Sequence, residues 1–210
     1  MHILFVCTGN ICRSPTAERL TRAYADSLAD PGLLSTASAG TRAVVGDPMH
    51  PTAALVLAGL GAGGGGFVAR MLEERHVAEA DLVLTMSLKQ RRTVLGISPR
   101  AMSRTFTLRE AHALMQGIAL AALPGGTDLT ERGQALVSAL GRQRASRLVL
   151  DPRVDDILDP IGRDQQTFLR VGDDIARPLL DLLDVLCRTG QDAAIEDYSR
   201  RDLAPANSRG

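Results

Sequence analysis

The sequence predicts an α/β fold: a single-domain, three-layer α/β/α structure around a short, mostly four-stranded parallel sheet. Short apolar, strand-like runs alternate along the chain with stretches of helical periodicity. A chain of 210 residues, 45% of them hydrophobic, also suits one domain with an ample core. The predicted strands lie at residues 2–7, about 33–39, 81–86 and 104–107, and the predicted helices near residues 15–29, 51–60, 87–95 and 164–187.

The first predicted strand runs directly into a short loop that ends in a helix. Residues 3–6 are a β-prone apolar run, and apolar residues recur with helical spacing from Pro15 onward. The five residues between Cys7 and Arg13 allow one tight turn whose backbone N–H groups converge on an anion, and the following helix adds its positive N-terminal dipole. Gly9 and Asn10 tolerate the left-handed angles of such a turn. In an open parallel sheet this loop lies where ligands bind.

The loop carries one thiol and one guanidinium suited to phosphate chemistry. Its N–H groups and helix dipole favour the nucleophilic thiolate of Cys7, and Arg13 can hold two phosphoryl oxygens. Cysteine and arginine at this spacing are a weak signal alone, since either residue is ordinary at a strand end or a helix start. The preceding strand, the Gly-Asn turn and the helix start at Ser14-Pro15 together favour a loop that binds and attacks phosphate.

Residues Val6–Glu18 read V-C-T-G-N-I-C-R-S-P-T-A-E, which resembles without mismatch the amino-terminal signature of the low-molecular-weight protein tyrosine phosphatase family. The resemblance spans residues 1 to about 110 and 155 to 186. It implies an enzyme that hydrolyses phosphotyrosine through a cysteinyl-phosphate intermediate on Cys7, with Arg13 as the phosphate clamp and no cofactor. The further matching segments are 38–41, 46–51, 69–70, 81–86 and 156–160.

Phosphate-ester cleavage also needs a proton donor for the leaving oxygen. By similarity Asp159 protonates the departing phenolate and then helps to activate the water that hydrolyses the intermediate. Taken alone, Asp159-Pro160 would mark only a turn.

The resemblance also implies supporting roles. The Ser14 hydroxyl donates a hydrogen bond to the Cys7 thiolate, although Ser14 taken alone fits equally well as a residue that caps the helix. Ser38 helps to hold the side chain of Asn10. The phosphate-binding residues implied by the family are Thr8, Gly9, Asn10, Ile11, Cys12 and Ser14.

The sequence departs from the family at the rim of the expected pocket. Family members usually carry aromatic residues there, whereas this chain has Ile161 after the Asp-Pro pair and Val44, or its neighbour Val45, at the other rim position. The loss of directional ring stacking, about 0.5 to 1.5 kcal/mol, weakens the preference for phosphotyrosine. Phe67 stands where the family has a histidine that supports the loop, so we expect a looser Asn10.

The cysteines leave several interpretations open. In the family, the neighbour of the nucleophile can form a disulfide with it, which would protect Cys7 from over-oxidation, but Cys12 fits equally well as a small buried side chain. Cys187 is expected in the core.

Two alternative functions are considered. An arsenate reductase needs later resolving cysteines, and none occurs between Cys12 and Cys187. The other alternative is not an enzyme but a phosphate- or phosphoprotein-binding module with little turnover.

Beyond the signature, the chain divides into a phosphatase domain at residues 1–188 and a polar, flexible tail at 189–210. Residues 61–66 are predicted as a flexible loop, since five of the six are glycine. Residues 111–150 form an insertion relative to shorter family members, with a predicted amphipathic helix over Thr130–Arg147. Its apolar face is expected on the core, with a partner-binding surface as the alternative.

Composition bounds the partners and the compartment. A formal net charge of zero gives no bulk attraction to nucleic acid or membrane. No stretch reads as a signal peptide or a membrane-spanning helix, and three cysteines suit a reducing cytoplasm. The scattered histidines lack metal-ligand spacing. The family resemblance implies a phosphotyrosine-containing protein as partner, in bacterial relatives often a tyrosine kinase or a polysaccharide-synthesis enzyme.

Overall fold

Four parallel strands form the centre of the fold. The computed structural model describes residues 1–119, 123–124, 128–148 and 151–187, so the predicted tail at 189–210 lies outside the described residues. The strands are β1 (His2–Cys7), β2 (Ser35–Gly40), β3 (Leu82–Thr85) and β4 (Thr105–Thr107), and their order in the sheet is β2-β1-β3-β4. All three pairings are parallel, which confirms the predicted sheet.

Helices cover both faces of this sheet. Those within the described residues are α1 (Arg13–Asp26), α2 (Pro51–Gly59), α3 (Glu74–Glu79), α4 (Leu88–Ile97), α5 (Leu108–Met115), α6 (Leu129–Ser146) and α7 (Gln165–Cys187). Short 3-10 turns occupy Pro31–Leu33, Pro99–Arg104 and Pro152–Asp155.

The alternating side chains of β1 divide the core into two layers. Ile3 and Phe5 pack with apolar residues of α1, α2, α5, α6 and α7 on one face. Leu4 and Val6 pack on the other face with residues of α3 and α4. Because successive side chains of a strand point to opposite faces, β1 is apolar throughout and lies between both layers. The three-layer arrangement is therefore confirmed.

The predicted helix and strand boundaries differ from the observed ones by up to three residues, and α3 and α5 were not predicted. Helix α3 has only six residues, fewer than two turns, so apolar periodicity cannot reveal it. Helix α5 begins with a capping box in which Thr107 and Glu110 bond to each other's backbone amides. The Thr-x-x-Glu spacing of this capping box is visible in the sequence, but residues 111–150, which follow it, were interpreted as an insertion.

Helix α6 packs its apolar face on the core, as predicted. Leu136 and Leu140 are fully buried and belong to the same cluster as Phe5 and Phe106. The helix begins at Leu129, one residue before the predicted start at Thr130. The Asp128 side chain caps it by accepting from the backbone N–H groups of Thr130 and Glu131. The glycine-rich segment 61–66 holds neither a helix nor a strand.

Arg144 connects α6 to the end of the sheet. Its guanidinium lies 3.9 Å from the ring centroid of Phe106, and its Nε and Nη2 donate to the buried Glu110 carboxylate at 2.8 and 3.2 Å. Nη2 also donates to the carbonyl of Thr105 at 2.8 Å. Through these contacts, Arg144 of α6 binds both Glu110 of α5 and the backbone of β4.

We expect Arg144→Met to lower the free energy of unfolding by about 2 to 4 kcal/mol, because it leaves the buried Glu110 carboxylate without its main partner. Urea unfolding monitored by circular dichroism measures the change. Arg142→Met, at an exposed position of the same helix, is the matched control. Equal midpoints for both variants would show that the pair does not stabilise the fold.

Candidate active site

The Cys7 thiol lies at the carboxyl end of β1, 2% exposed, where two donors reach its sulfur. The hydroxyl of Ser14 donates to Sγ at 2.9 Å, and the backbone N–H of Asn10 donates to it at 3.2 Å. Both interactions stabilise a negative charge on sulfur. The short loop has therefore brought donor groups to the thiol, with Ser14 at the position that the resemblance implied.

Asn10 is the residue that makes the tight turn possible. Its φ of 55° is left-handed, a conformation that asparagine tolerates better than most side chains. Its buried amide nitrogen donates to Ser14 Oγ at 3.0 Å and to Ser38 Oγ at 2.8 Å, while its oxygen accepts from the backbone N–H of Arg70 at 2.8 Å. Ser38 in turn donates to Glu18 at 2.6 Å. These contacts hold the turn against its intrinsic strain.

The loop carbonyls are held outward by a neighbouring segment, residues 41–50. Because a trans peptide places its C=O and the following N–H on opposite sides, the N–H groups that follow these carbonyls point toward the other side, into the loop. Such converging N–H groups form an anion site at the start of α1. The donor and acceptor pairs are Thr41 to Cys7 at 2.9 Å, Arg42 to Thr8 at 2.9 Å, Val44 to Gly9 at 3.0 Å and His50 to Ile11 at 2.7 Å.

Gly40, at the end of β2, leaves no room for a side chain beside this loop. A Cβ there would lie 2.5 Å from the carbonyl oxygen of Thr8 and 2.9 Å from the Cβ of Ala43. We expect Gly40→Ala to displace the Thr8 peptide, to lower kcat for an aryl phosphate at least tenfold and to destabilise the protein by about 1 to 3 kcal/mol.

Steady-state kinetics and thermal unfolding measure both effects of Gly40→Ala. Gly59→Ala is the control, since nothing lies within 4 Å of a Cβ at that position. Wild-type turnover by Gly40→Ala would contradict the inferred contact between Gly40 and the loop.

Arg13 is buried beneath the loop and reaches a segment far along the chain. Its Nη1 donates to the carbonyl of Ile157 at 3.0 Å, and its Nη2 donates to the carboxylate of Asp159. That carboxylate is half-exposed, 48%, and also accepts from the backbone N–H of Ile161 at 3.3 Å. The structure thus brings Arg13 and Asp159, separated by 146 positions, to one place.

The chain before Asp159 is fixed to the carboxyl end of β3. The buried Ile157 donates its N–H to the carbonyl of Met86 at 2.8 Å. The carboxylate of Asp156 accepts from the backbone N–H of Leu88 at 2.7 Å. These contacts position Asp159 on the same edge of the sheet as Cys7.

A cavity of about 380 Å³ opens over the thiol. Val44 and Ile161 line it and are 43% and 46% exposed, so both predicted rim residues lie at its mouth. Asn10, Ser14 and Ser38 do not line it and lie behind the loop. The lining residues are Cys7, Thr8, Gly9, Ile11, Cys12, Arg13, Arg42, Val44, Asp159 and Ile161.

Several residues that hold the loop were missed by sequence reasoning. The buried Gln90 of α4 donates to Thr8 Oγ1 at 3.1 Å and accepts from the Met86 N–H at 3.0 Å. Arg70 holds Asn10 through its backbone, a role that no side-chain motif reveals. Glu18 stood in the quoted signature without an assigned role. Phe67 is buried next to Arg19 rather than bonded to Asn10, whose polar atoms have other partners.

The thiols of the two other cysteines have raised pKa values. Burial, and then the neighbouring Cys7, raise the pKa of the Cys12 thiol to about 12. Burial likewise raises the pKa of Cys187, at the end of α7, to about 11. All three cysteines are free thiols. Cys12 is buried, as expected for a small apolar side chain, and lies on the same loop as Cys7.

Within the described ranges, no cluster of three or more histidine, cysteine or acidic side chains is arranged to hold a metal ion. The same part of the chain contains no helix that is both long and apolar enough to cross a membrane.

Comparison with known sequences identifies similar proteins. A family model described as low molecular weight phosphotyrosine protein phosphatase matches residues 2–116. The chain is 39% identical over 102 residues to the low molecular weight protein-tyrosine-phosphatase Wzb of Salmonella typhi, covering 49% of this chain and 64% of that protein. It is 40% identical over 98 residues to Wzb of Escherichia coli K12, covering 47% and 63%. The chain therefore matches less than two thirds of the length of these relatives.

Solved structures share the fold. The tyrosine phosphatase AmsI of Erwinia amylovora superposes with a TM-score of 0.62 at 24% identity, covering 89% of this chain and 93% of that one. A low molecular weight protein tyrosine phosphatase from T. tengcongensis gives 0.63 at 25% identity, covering 88% and 98%. A YwlE arginine phosphatase gives 0.64 at 24% identity, covering 91% and 99%. The match to the family model ends at residue 116, whereas these superpositions cover about nine tenths of the chain.

Proposed function

Because the chain belongs to the low molecular weight phosphotyrosine protein phosphatase family, we propose that it hydrolyses phosphotyrosine through a cysteinyl-phosphate intermediate on Cys7. The observation that carries this proposal is the convergence of Cys7, Arg13 and Asp159 on one cavity. The thiol receives two hydrogen bonds there, as its anionic form requires.

In the first step, the phosphoryl group binds among the loop N–H groups and the Arg13 guanidinium, which neutralise its charge. The Cys7 thiolate attacks phosphorus, a sulfur–phosphorus bond forms, and the bond to the phenolic oxygen breaks. The Asp159 carboxylate, released from Arg13 when that guanidinium turns to phosphate, takes up a proton from solvent and then gives it to that oxygen. The tyrosine side chain leaves as a neutral phenol.

In the second step, Asp159 acts as the base for an attacking water. The water oxygen bonds to phosphorus, its proton passes to Asp159, and the sulfur–phosphorus bond breaks. Cys7 leaves as a thiolate, stabilised again by Ser14, and inorganic phosphate is released. Each atom of the site returns to its starting form.

The ion pair between Arg13 and Asp159 sets the order in which substrate binding and proton transfer occur. The phosphoryl group and the Asp159 carboxylate are alternative partners for the same guanidinium. Binding of the dianion draws Arg13 toward phosphate and releases the Asp159 carboxyl toward the cavity mouth. Substrate binding thus prepares the proton donor.

The shape of the cavity supports an aryl substrate. The sulfur of Cys7 is almost fully buried, so a phosphorylated side chain must be long enough to reach it. Val44 and Ile161 at the mouth offer apolar contact to a ring without directional stacking. We therefore assign phosphotyrosine as the substrate class, with a weaker preference than an aromatic rim would give.

The partner we propose is a phosphotyrosine-containing protein of a bacterial cytoplasm, such as a tyrosine kinase or a polysaccharide-synthesis enzyme. The bacterial relatives named above and the family resemblance support this class. A reducing compartment also suits the site, because Cys7 must stay a thiol for turnover.

The test is hydrolysis by the purified protein, with a chelator present, of p-nitrophenyl phosphate and of three peptides carrying phosphotyrosine, phosphoserine or phosphoarginine. We expect turnover of the aryl phosphate and the phosphotyrosine peptide, with a phosphoprotein trapped on rapid denaturation whose phosphate is lost in mild acid and kept in alkali, as for a phosphocysteine. Turnover restricted to phosphoarginine would reassign the substrate. Phosphate binding without turnover of any substrate would favour the binding module.

A further inference from the structure

A second polar groove, of about 450 Å³, lies at the β2 edge of the sheet. It shares no lining residue with the active-site cavity. Its walls come from α1, the first halves of β1 and β2, segment 66–70 and α3. Three arginines line it: Arg19, Arg22 and Arg70.

Within the described residues, Arg19 and Arg70 form no salt bridge, in contrast to Arg22. Arg22 is paired with Glu18 at 3.2 Å. Arg19 Nε is buried and donates to no acceptor. Arg70 uses Nε to reach the carbonyl of Ser38 at 2.7 Å, and within the described part of the chain its terminal nitrogens make no hydrogen bond. The hydroxyl of Thr36, in the same wall, is also buried without a partner.

Buried donors without partners are unfavourable, so Arg19 Nε and the Thr36 hydroxyl indicate a ligand that accepts hydrogen bonds. The Arg70 guanidinium is exposed and adds positive charge to the same groove. Guanidinium groups suit a tetrahedral oxyanion, which they bind through paired N–H donors. Glu79 is the one carboxylate in the groove besides the engaged Glu18, so the arginines outnumber it. The remaining walls are apolar at Leu4 and Phe67, and the volume exceeds that of a single phosphate ion.

We propose that this groove binds a phosphate-like dianion, either free phosphate or the phosphoryl group of a small monoester. Arg19 and Arg70 hold its oxygens, and Thr36 donates a further hydrogen bond. Such a site is distinct from the catalytic loop and requires no turnover at Cys7.

The groove is connected to the catalytic loop through Arg70. The same residue donates its backbone N–H to Asn10 and its Nε to the carbonyl of Ser38, and both of these residues belong to the network that holds the loop. An anion that orders the Arg70 guanidinium therefore acts on a residue bonded directly to the loop. Any effect on loop affinity is reciprocal between the two sites.

The four histidines of the chain provide separate reporters. His2 and His76 line the groove. His50 donates its backbone N–H to Ile11 of the loop, and His112 contacts Asp181 on α7. Burial lowers the pKa of both groove histidines, and the Arg70 guanidinium lowers the pKa of His76 further. At His2 the carboxylates of Asp81 and Glu79 raise the pKa against burial, and Arg70 lowers it by less than either raises it. Their imidazole resonances are thus sensitive to an anion placed at Arg70.

The experiment titrates the Cys7→Ser protein with inorganic phosphate at constant pH and ionic strength while imidazole resonances are followed by NMR. We expect His2 and His76 to shift with a midpoint different from that of His50, and His112 to stay unchanged. Arg19→Gln, added to this protein, should weaken the groove midpoint about tenfold and change the His50 midpoint by a much smaller factor. Arg92→Gln, at an exposed position of α4, is the matched control.

Two results would overturn the groove site: His2 and His76 fail to shift, or their shifts follow the His50 midpoint and ignore Arg19→Gln. A second titration with glycerol 3-phosphate distinguishes the sources. Tighter binding than phosphate assigns the site to a monoester, and equal binding assigns it to the free ion. Because the protein lacks the Cys7 nucleophile, the result is independent of whether the wild type has phosphatase activity.

Discussion

Cys7→Ser is expected to lower kcat/KM for p-nitrophenyl phosphate by about 10⁴- to 10⁶-fold, the largest effect of any substitution in the chain. A serine hydroxyl stays protonated at neutral pH, so the two donors that surround the sulfur have no anion to stabilise. The loop N–H groups and Arg13 remain, and we expect inorganic phosphate to bind within a few-fold of the wild-type affinity. Steady-state kinetics and calorimetric titration measure the two quantities.

Cys187→Ser is the matched control for this variant, because it removes a thiol that does not line the cavity. It should retain wild-type turnover. Substantial activity in Cys7→Ser, or a comparable loss in Cys187→Ser, would contradict the assignment of Cys7 as nucleophile.

Asp159→Ala is expected to slow phenyl phosphate, a poor leaving group, by about 10² to 10⁴-fold and p-nitrophenyl phosphate much less. The nitrophenolate leaves without a proton, whereas phenolate requires one. The substitution also frees the Arg13 guanidinium from its carboxylate partner. We therefore expect phosphate to inhibit the variant more strongly than the wild type, so that kcat and KM fall together.

A series of aryl phosphates with graded leaving groups measures this effect as the slope of log kcat against leaving-group pKa. Asp173→Asn, at an exposed position of α7, serves as the control for loss of a carboxylate. Equal slowing of good and poor leaving groups by Asp159→Ala would remove Asp159 from the role of general acid.

The parts of the fold that sequence predicted are those governed by local pattern. Strands β1 and β3 are buried on both faces, so each is a continuous apolar run that can be recognised in the sequence. The loop after β1 was predictable because its strand, turn and helix start are contiguous in the chain. Helix α3 was missed since its six residues bury only Val77.

The supporting contacts of the site could not be predicted, because they join residues that are distant in sequence and carry no motif. Gln90 reaches Thr8 across 82 positions, and the N–H of Arg70 reaches Asn10 across 60. Segment 41–50 acts through its backbone N–H groups, which every residue except proline possesses. The expected loosening of Asn10 by Phe67 was argued from one missing side chain, whereas the structure supplies a backbone donor instead.

The contacts of Arg13 with Ile157 and Asp159 have a consequence for how the protein folds. They span 144 and 146 residues, so the loop and the acid meet only after the intervening strands and helices have been ordered. Closing so long a stretch of chain is entropically costly and delays the contact. Helix content can return early in refolding, since it is local, whereas the loop also depends on Ser38, Arg70 and segment 41–50 and the complete catalytic pair forms last. Recovery of turnover therefore marks the end of folding for this chain.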